Sequence, residues 1–144
     1  MRRSRLLPLL TTLAATLTVI LGTAAPASAA GAGYVALGDS YSSGVGSGSY
    51  TSSSGSCLRS TLAYSQLWAN THAPASYVSL ACSGAKTADV NANQLSALST
   101  STTLVSITIG GNDVGFAQVM QDCVIYGTST CVNEVNAAEN KART

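Results

Sequence analysis

Apolar and polar residues fall along this chain in blocks, and one arrangement of blocks occurs three times. Tyr34-Val35-Ala36-Leu37 is apolar, and polarity switches at once at Gly38-Asp39-Ser40. A short apolar run closed by glycine is the pattern of a buried strand leaving a sheet. Tyr77-Val78-Ser79-Leu80-Ala81 repeats it, running into Cys82-Ser83-Gly84-Ala85-Lys86-Thr87. Leu104-Val105-Ser106-Ile107-Thr108-Ile109 is the clearest strand, β-branched and followed by Gly110-Gly111-Asn112-Asp113. Helical spacing lies between. Ser60 is placed to cap a helix over 61–70, with Leu62, Ala63 and Leu67 as apolar contacts and Tyr64 and Trp68 four apart. The segment 71–76, with Pro74, ends it. A weaker helical pattern runs from Thr87 to Leu98, with Val90, Gln94 and Ala97 on one side. Val114 to Asp122 reads as a short helix, 123–131 as a loop, and Val132 to the end as helix again. The small, polar stretch 43–55 is loop, either a flexible connector or the wall of a cleft.

Strands alternating with helices predict an α/β layer fold with a parallel sheet. Right-handed crossovers keep such strands aligned. The three glycine-bearing turns then share one sheet edge, where Ser40, Gly84 and Asn112 converge. Functional groups collect beyond the carboxyl ends of strands in open parallel sheets. Ser40, on a tight turn at that edge, is therefore a candidate nucleophile. Asp39 and Ser40 are equally good helix N-caps, and this stretch alone does not separate the two roles.

Composition changes the picture at the amino end. Arg2, Arg3 and Arg5 precede a largely apolar stretch from Leu6 to Leu21, and Ala27-Ser28-Ala29 follows. That is the layout of a secretory signal peptide over residues 1–29, too short and too interrupted by Pro8 and threonines for a membrane anchor. Arg2-Arg3 alone does not decide between general and twin-arginine export. Removing 29 of the 144 residues leaves 115, enough for one modest core, read as one domain over 30–144. It also removes three arginines, leaving four Lys and Arg against six Asp and Glu, a net charge of about −2. No basic patch remains, which argues against a nucleic-acid partner. All four cysteines lie in the exported part, where an even count points to disulfides. Of the three connectivities, Cys57–Cys82 and Cys123–Cys131 are expected: the first pair flanks one sheet edge, and the second is only eight residues apart. A zinc site is the rival reading, but there is no Cys-x-x-Cys and no His pair.

Taken in order, Gly38-Asp39-Ser40 with Tyr41-Ser42-Ser43-Gly44, then Ser83-Gly84, then Gly110-Gly111-Asn112-Asp113 resemble the motifs of the SGNH hydrolases. These are also called the GDSL esterase/lipase family, and the extension around Ser40 is similar to that of secreted actinobacterial members. The resemblance covers essentially all of the mature chain and implies a three-layer α/β/α sandwich around a mostly parallel sheet. It implies that Ser40 is the nucleophile. It also implies that the Ser40 and Gly84 backbone N–H groups and the Asn112 amide form an oxyanion hole. The physics agrees with these roles. Ester hydrolysis places negative charge on the carbonyl oxygen, and donors already aimed there stabilise it without reorganisation. Glycine at 84 lets backbone approach closely, and Asn112 donates without bringing a charge. Asn112 is also a good turn residue, the plainer reading of that motif.

One element of the chemistry is missing. A serine needs a general base, and family members carry a late histidine in an Asp-x-x-His motif or a variant of it. Here the single histidine is His72, between the first helix and the second strand, expected at the sheet edge opposite Ser40. The chain ends in a helical pattern with three convincing strands, so it reads as the N-terminal portion of a larger hydrolase domain. The resulting expectation is a secreted, extracellular serine esterase or lipase that is monomeric, needs no cofactor or metal and acts on small-molecule or lipid esters. The alternative is an inert protein that keeps the cleft and only binds. A Ser/Gly-rich adhesion module is disfavoured by the helical segments.

Overall fold

The computed structural model describes residues 31–144. The expected signal peptide, 1–29, lies outside them.

Three parallel strands, β1 (Gly33–Gly38), β2 (Ser76–Ser79) and β3 (Thr102–Thr108), form one sheet in the order β2-β1-β3. The central strand β1 is buried along its whole length, which is why it reads as an uninterrupted apolar run. Tyr34 and Ala36 face one side of the sheet and pack with Ala69, supported by Trp68, Tyr77 and Leu104. The Tyr34 ring meets Trp68 edge-on at 5.0 Å and Tyr77 at 5.2 Å. Val35 and Leu37, also buried, face the other side.

The helices connect the strands as expected for an open parallel α/β sheet, with shifted boundaries. α1 (Ser40–Ser43) is a single turn. α2 (Tyr64–His72) starts three residues later than predicted, and Ser60 does not cap it. The Ser60 hydroxyl is held elsewhere: it donates to the Gly48 carbonyl at 2.5 Å and accepts from the Leu62 N–H at 2.9 Å. The loop 43–55 is not a plain connector. Tyr50 and Ser60 form an antiparallel bridge, and Ser52–Cys57 is a 3-10 turn. α3 (Thr87–Asn93) follows β2.

Beyond β3 the corrections are larger. α4 (Gly111–Val114) begins inside the Gly-Gly-Asn-Asp turn, and Gly115, at φ 80°, separates it from α5 (Phe116–Tyr126). The expected loop 123–131 is instead the junction of two helices. Cys123 lies in α5 and Cys131 in α6 (Thr128–Ala142), with Gly127 alone between the helices. Both expected disulfides are formed, Cys57–Cys82 and Cys123–Cys131, and none of the four cysteines is free. Among the described residues no helix is long and apolar enough to cross a membrane.

Candidate functional site

The β1–α1 turn decides what Ser40 is free to do. Asp39, not Ser40, is the N-cap: its carboxylate accepts the Tyr41 N–H at 3.0 Å. Ser40 is the first residue of the helical turn, half-exposed, and its hydroxyl makes no hydrogen bond to a described residue. Its backbone N–H has no partner among them either, as the geometry of a helix's first turn dictates. The plainer reading of Asp39-Ser40 thus applies to Asp39 and leaves Ser40 unoccupied.

The turn is fixed from both sides of the sheet. On the β3 side the Asp39 N–H donates to the Thr108 carbonyl at 3.0 Å. The Thr108 hydroxyl lies 2.5 Å from the buried Ser42 hydroxyl and donates to the Asp39 carboxylate at 3.3 Å. On the β2 side the Cys82 N–H donates to the Gly38 carbonyl at 3.0 Å. Gln94, 3 % exposed, brings its side-chain amide to the same residue: Oε1 accepts the Gly38 N–H at 2.7 Å, and Nε2 donates to the Gly38 carbonyl at 2.9 Å.

The other two turns meet this one. Gly84 is exposed at φ 79°, a conformation glycine adopts readily. Its N–H, like that of Ser40, has no acceptor among the described residues. Asn112 in α4 reaches across, donating from Nδ2 to the Ala85 carbonyl at 2.9 Å, and its amide retains a second N–H. Asp113 accepts the Thr87 N–H at 3.1 Å to each carboxylate oxygen. Gly111 lies against Asp39, for a Cβ there would be 3.9 Å from the Asp39 Oδ2. The three motif turns therefore form one hydrogen-bonded group at the carboxyl edge of the sheet. A cavity of about 450 Å³ opens beside it, lined by Cys57, Arg59, Ser83, Gly84, Ala85 and Gln94 among others.

His72 is at the opposite edge. It is the last residue of α2 rather than a loop residue, four positions before β2 begins at the sheet's amino end. Its ring stacks on Trp68 at 4.3 Å and 7°, with Nδ1 2.9 Å from the Trp68 carbonyl.

The model of the GDSL-like lipase/acylhydrolase family matches residues 36–144. This chain belongs to that family. Lipase 1 of Streptomyces coelicolor is 53% identical over 143 residues, covering 96% of this chain and 53% of that protein. The crystal structure of phospholipase A1 from Streptomyces albidoflavus NA297 is 56% identical with a TM-score of 0.73, covering 77% of this chain and 47% of that one. That of an extracellular lipase from Streptomyces rimosus is 58% identical with a TM-score of 0.70, covering 73% and 45%. The chain spans about half the length of these relatives, and its fold is that of the GDSL lipases. Residues that the sequence did not single out for the site are Gln94, Thr108, Ser42 and Asp113. Gln94 carried one usable signal: a polar amide on the apolar side of a predicted helix needs a buried partner.

Proposed function

We propose that this chain carries the nucleophile and oxyanion-binding part of a secreted serine hydrolase acting on carboxylic esters. The observation that supports it most is the pair of N–H groups at Ser40 and Gly84, both without acceptors among the described residues, beside an unengaged Ser40 hydroxyl. In this reading the Ser40 Oγ attacks the ester carbonyl carbon and the carbonyl oxygen becomes an oxyanion. The Ser40 N–H, the Gly84 N–H and the second N–H of the Asn112 amide receive it; losing one such donor typically costs about 10²–10³ in kcat. Collapse of the tetrahedral intermediate expels the alcohol and leaves an acyl-serine, which water hydrolyses. The Ser40 proton passes to a general base supplied from outside these 144 residues, because His72 stands at the far edge of the sheet. Secretion rests on the signal layout of residues 1–29 and on the extracellular relative. Mature protein beginning near Ala30 is the expected result of amino-terminal sequencing of exported material.

The test is a short-chain ester assay on four proteins. They are this chain, this chain with His72→Ala, a version extended through the family's late histidine, and that version with Ser40→Ala. Turnover is expected only in the extended protein with Ser40 intact. Robust turnover by this chain that His72→Ala abolishes would overturn the assignment of the base. Full activity of the extended Ser40→Ala protein would remove Ser40 as nucleophile.

A further inference from the structure

Gln94 lies 56 residues from Gly38 in sequence and follows the last turn of α3, where its own N–H bonds the Val90 carbonyl at 2.9 Å. Its side chain is buried, and both of its polar atoms go to one backbone residue. That residue is Gly38, the end of β1 and two positions before Ser40. A side-chain amide that accepts from an N–H and donates to the C=O of the same residue fixes both peptide planes flanking it. Gly38 needs such fixing. Its φ of 122° is open to glycine and to few other residues, and glycine is the most conformationally free of them. The Cys82 and Asp39 bonds hold the carbonyl of Gly38 and the N–H that follows it, but neither holds the Gly38 N–H.

We infer that Gln94 is a positioning residue for the hydrolase reaction: by clamping the Gly38 peptide planes it aims the Ser40 N–H and Oγ. The inference rests on the reading of Ser40 as nucleophile. A merely structural glutamine would lower stability when replaced and leave turnover per folded molecule intact. A positioning glutamine sets kcat, because misplacement by 1 Å costs as much as about 100-fold.

The experiment uses the extended version named above, carrying the family's late histidine, with active sites counted by burst titration. Gln94→Leu removes both bonds and is expected to lower kcat about 10- to 100-fold, with KM changed little. Gln94→Glu is the sharper variant. As a carboxylate it accepts the Gly38 N–H but cannot donate to the Gly38 carbonyl; as a neutral acid it does both. Its kcat relative to the parent at the same pH is therefore expected to rise as pH falls, the parent cancelling any titration of the base. Parental kcat in folded Gln94→Leu would overturn the inference, and so would a Gln94→Glu ratio that stays constant across the pH range in which infrared difference spectra show the introduced carboxyl ionising. Should Gln94→Leu fail to fold, the Gln94→Glu ratio decides. Ser40→Ala in the same protein separates the two readings. An inactive Ser40→Ala protein beside a fully active Gln94→Leu protein refutes the role of Gln94 alone. An active Ser40→Ala protein refutes the nucleophile on which it rests.

Discussion

Two glycines that look alike in the sequence differ in what surrounds them. Gly38 closes an apolar run, Gly84 lies in the turn that follows one, and each has a positive φ. A Cβ on Gly38 would fall on the Thr108 carbonyl oxygen and 2.7 Å from the Ser42 Oγ, whereas one on Gly84 meets nothing within 4 Å. Backbone strain of this kind costs about 1–3 kcal/mol at either position. Gly38→Ala adds a clash with the β3 backbone, so it is expected to destabilise clearly more than Gly84→Ala when their urea midpoints are compared. Equal losses would show that the Gly38 turn relaxes freely. Both glycines were legible as turn positions after apolar runs, but the pressure of Thr108 on Gly38 was not, because it comes from a strand 70 residues away. Tyr34 is another case where only packing reveals the chemistry. Burial raises its phenol above the ordinary value of 10.0, against the lowering effect of its 2.7 Å bond to Ser106. A raised folded-state value means that the stabilising contribution is complete below pH 10 and is lost as pH rises through the folded value. Stability is therefore expected not to vary with pH through Tyr34 near neutrality, where its contribution is fully present, and to fall above pH 10, less steeply in Tyr34→Phe. Reversible urea titrations at several alkaline pH values measure that slope, and identical slopes would show that Tyr34 does not titrate with unfolding.

At the scale of elements the sequence placed the strands to within two residues at either end, because apolar runs and glycine stops are local signals. Helix ends were less legible. Ser60 had the composition of a cap, but it is drawn into the Gly48 loop, and α2 begins without a side-chain cap. The 123–131 segment lacks a strong helical stripe, yet it forms parts of two helices, since α5, α6 and the Cys123–Cys131 bond fold onto one another as a stapled hairpin. The two disulfides consequently belong to different units. The loop between Cys57 and Cys82 spans 25 residues and the other spans 8, worth about 3.5 and 2.5 kcal/mol in the chain-entropy model. Replacing Cys57 and Cys82 by serine is expected to lower global stability, because Cys82 leads into the Gly84 turn and Cys57 follows the loop packed on it. Replacing Cys123 and Cys131 is expected to open the α5–α6 hairpin while leaving β1 protected. Amide hydrogen exchange separates the two outcomes: loss of β1 protection in the Cys123/Cys131 variant would show that the hairpin and the sheet unfold as one unit.

Across the whole molecule the sheet is sided. Ser106 and Thr108 of β3 face the Tyr34 side, where Tyr34, Ser42 and Asp39 satisfy them, so polar residues sit half-buried. Val105 and Ile107 face the other way and are 45% and 47% exposed, although their β-branched chains are what marked β3 as a strand. Local pattern identified the strand but not which of its faces is covered, since that depends on what packs against an edge strand. Leu37, on the same side of central β1, is 1% exposed. The contrast yields a prediction about this chain by itself. Val105→Thr with Ile107→Thr keeps the β-branched shape and changes only half-exposed surface, so stability is expected to move by less than about 1 kcal/mol. Leu37→Ala opens the core and is expected to cost about 2–5 kcal/mol. The double threonine variant is also expected to bind less anilinonaphthalene sulfonate, a dye that reports exposed apolar surface. If the threonine pair instead costs as much as Leu37→Ala, and dye binding is already low in the parent, then the β3 face is covered in solution. Equilibrium sedimentation of the parent would then show whether a second copy of the chain covers it.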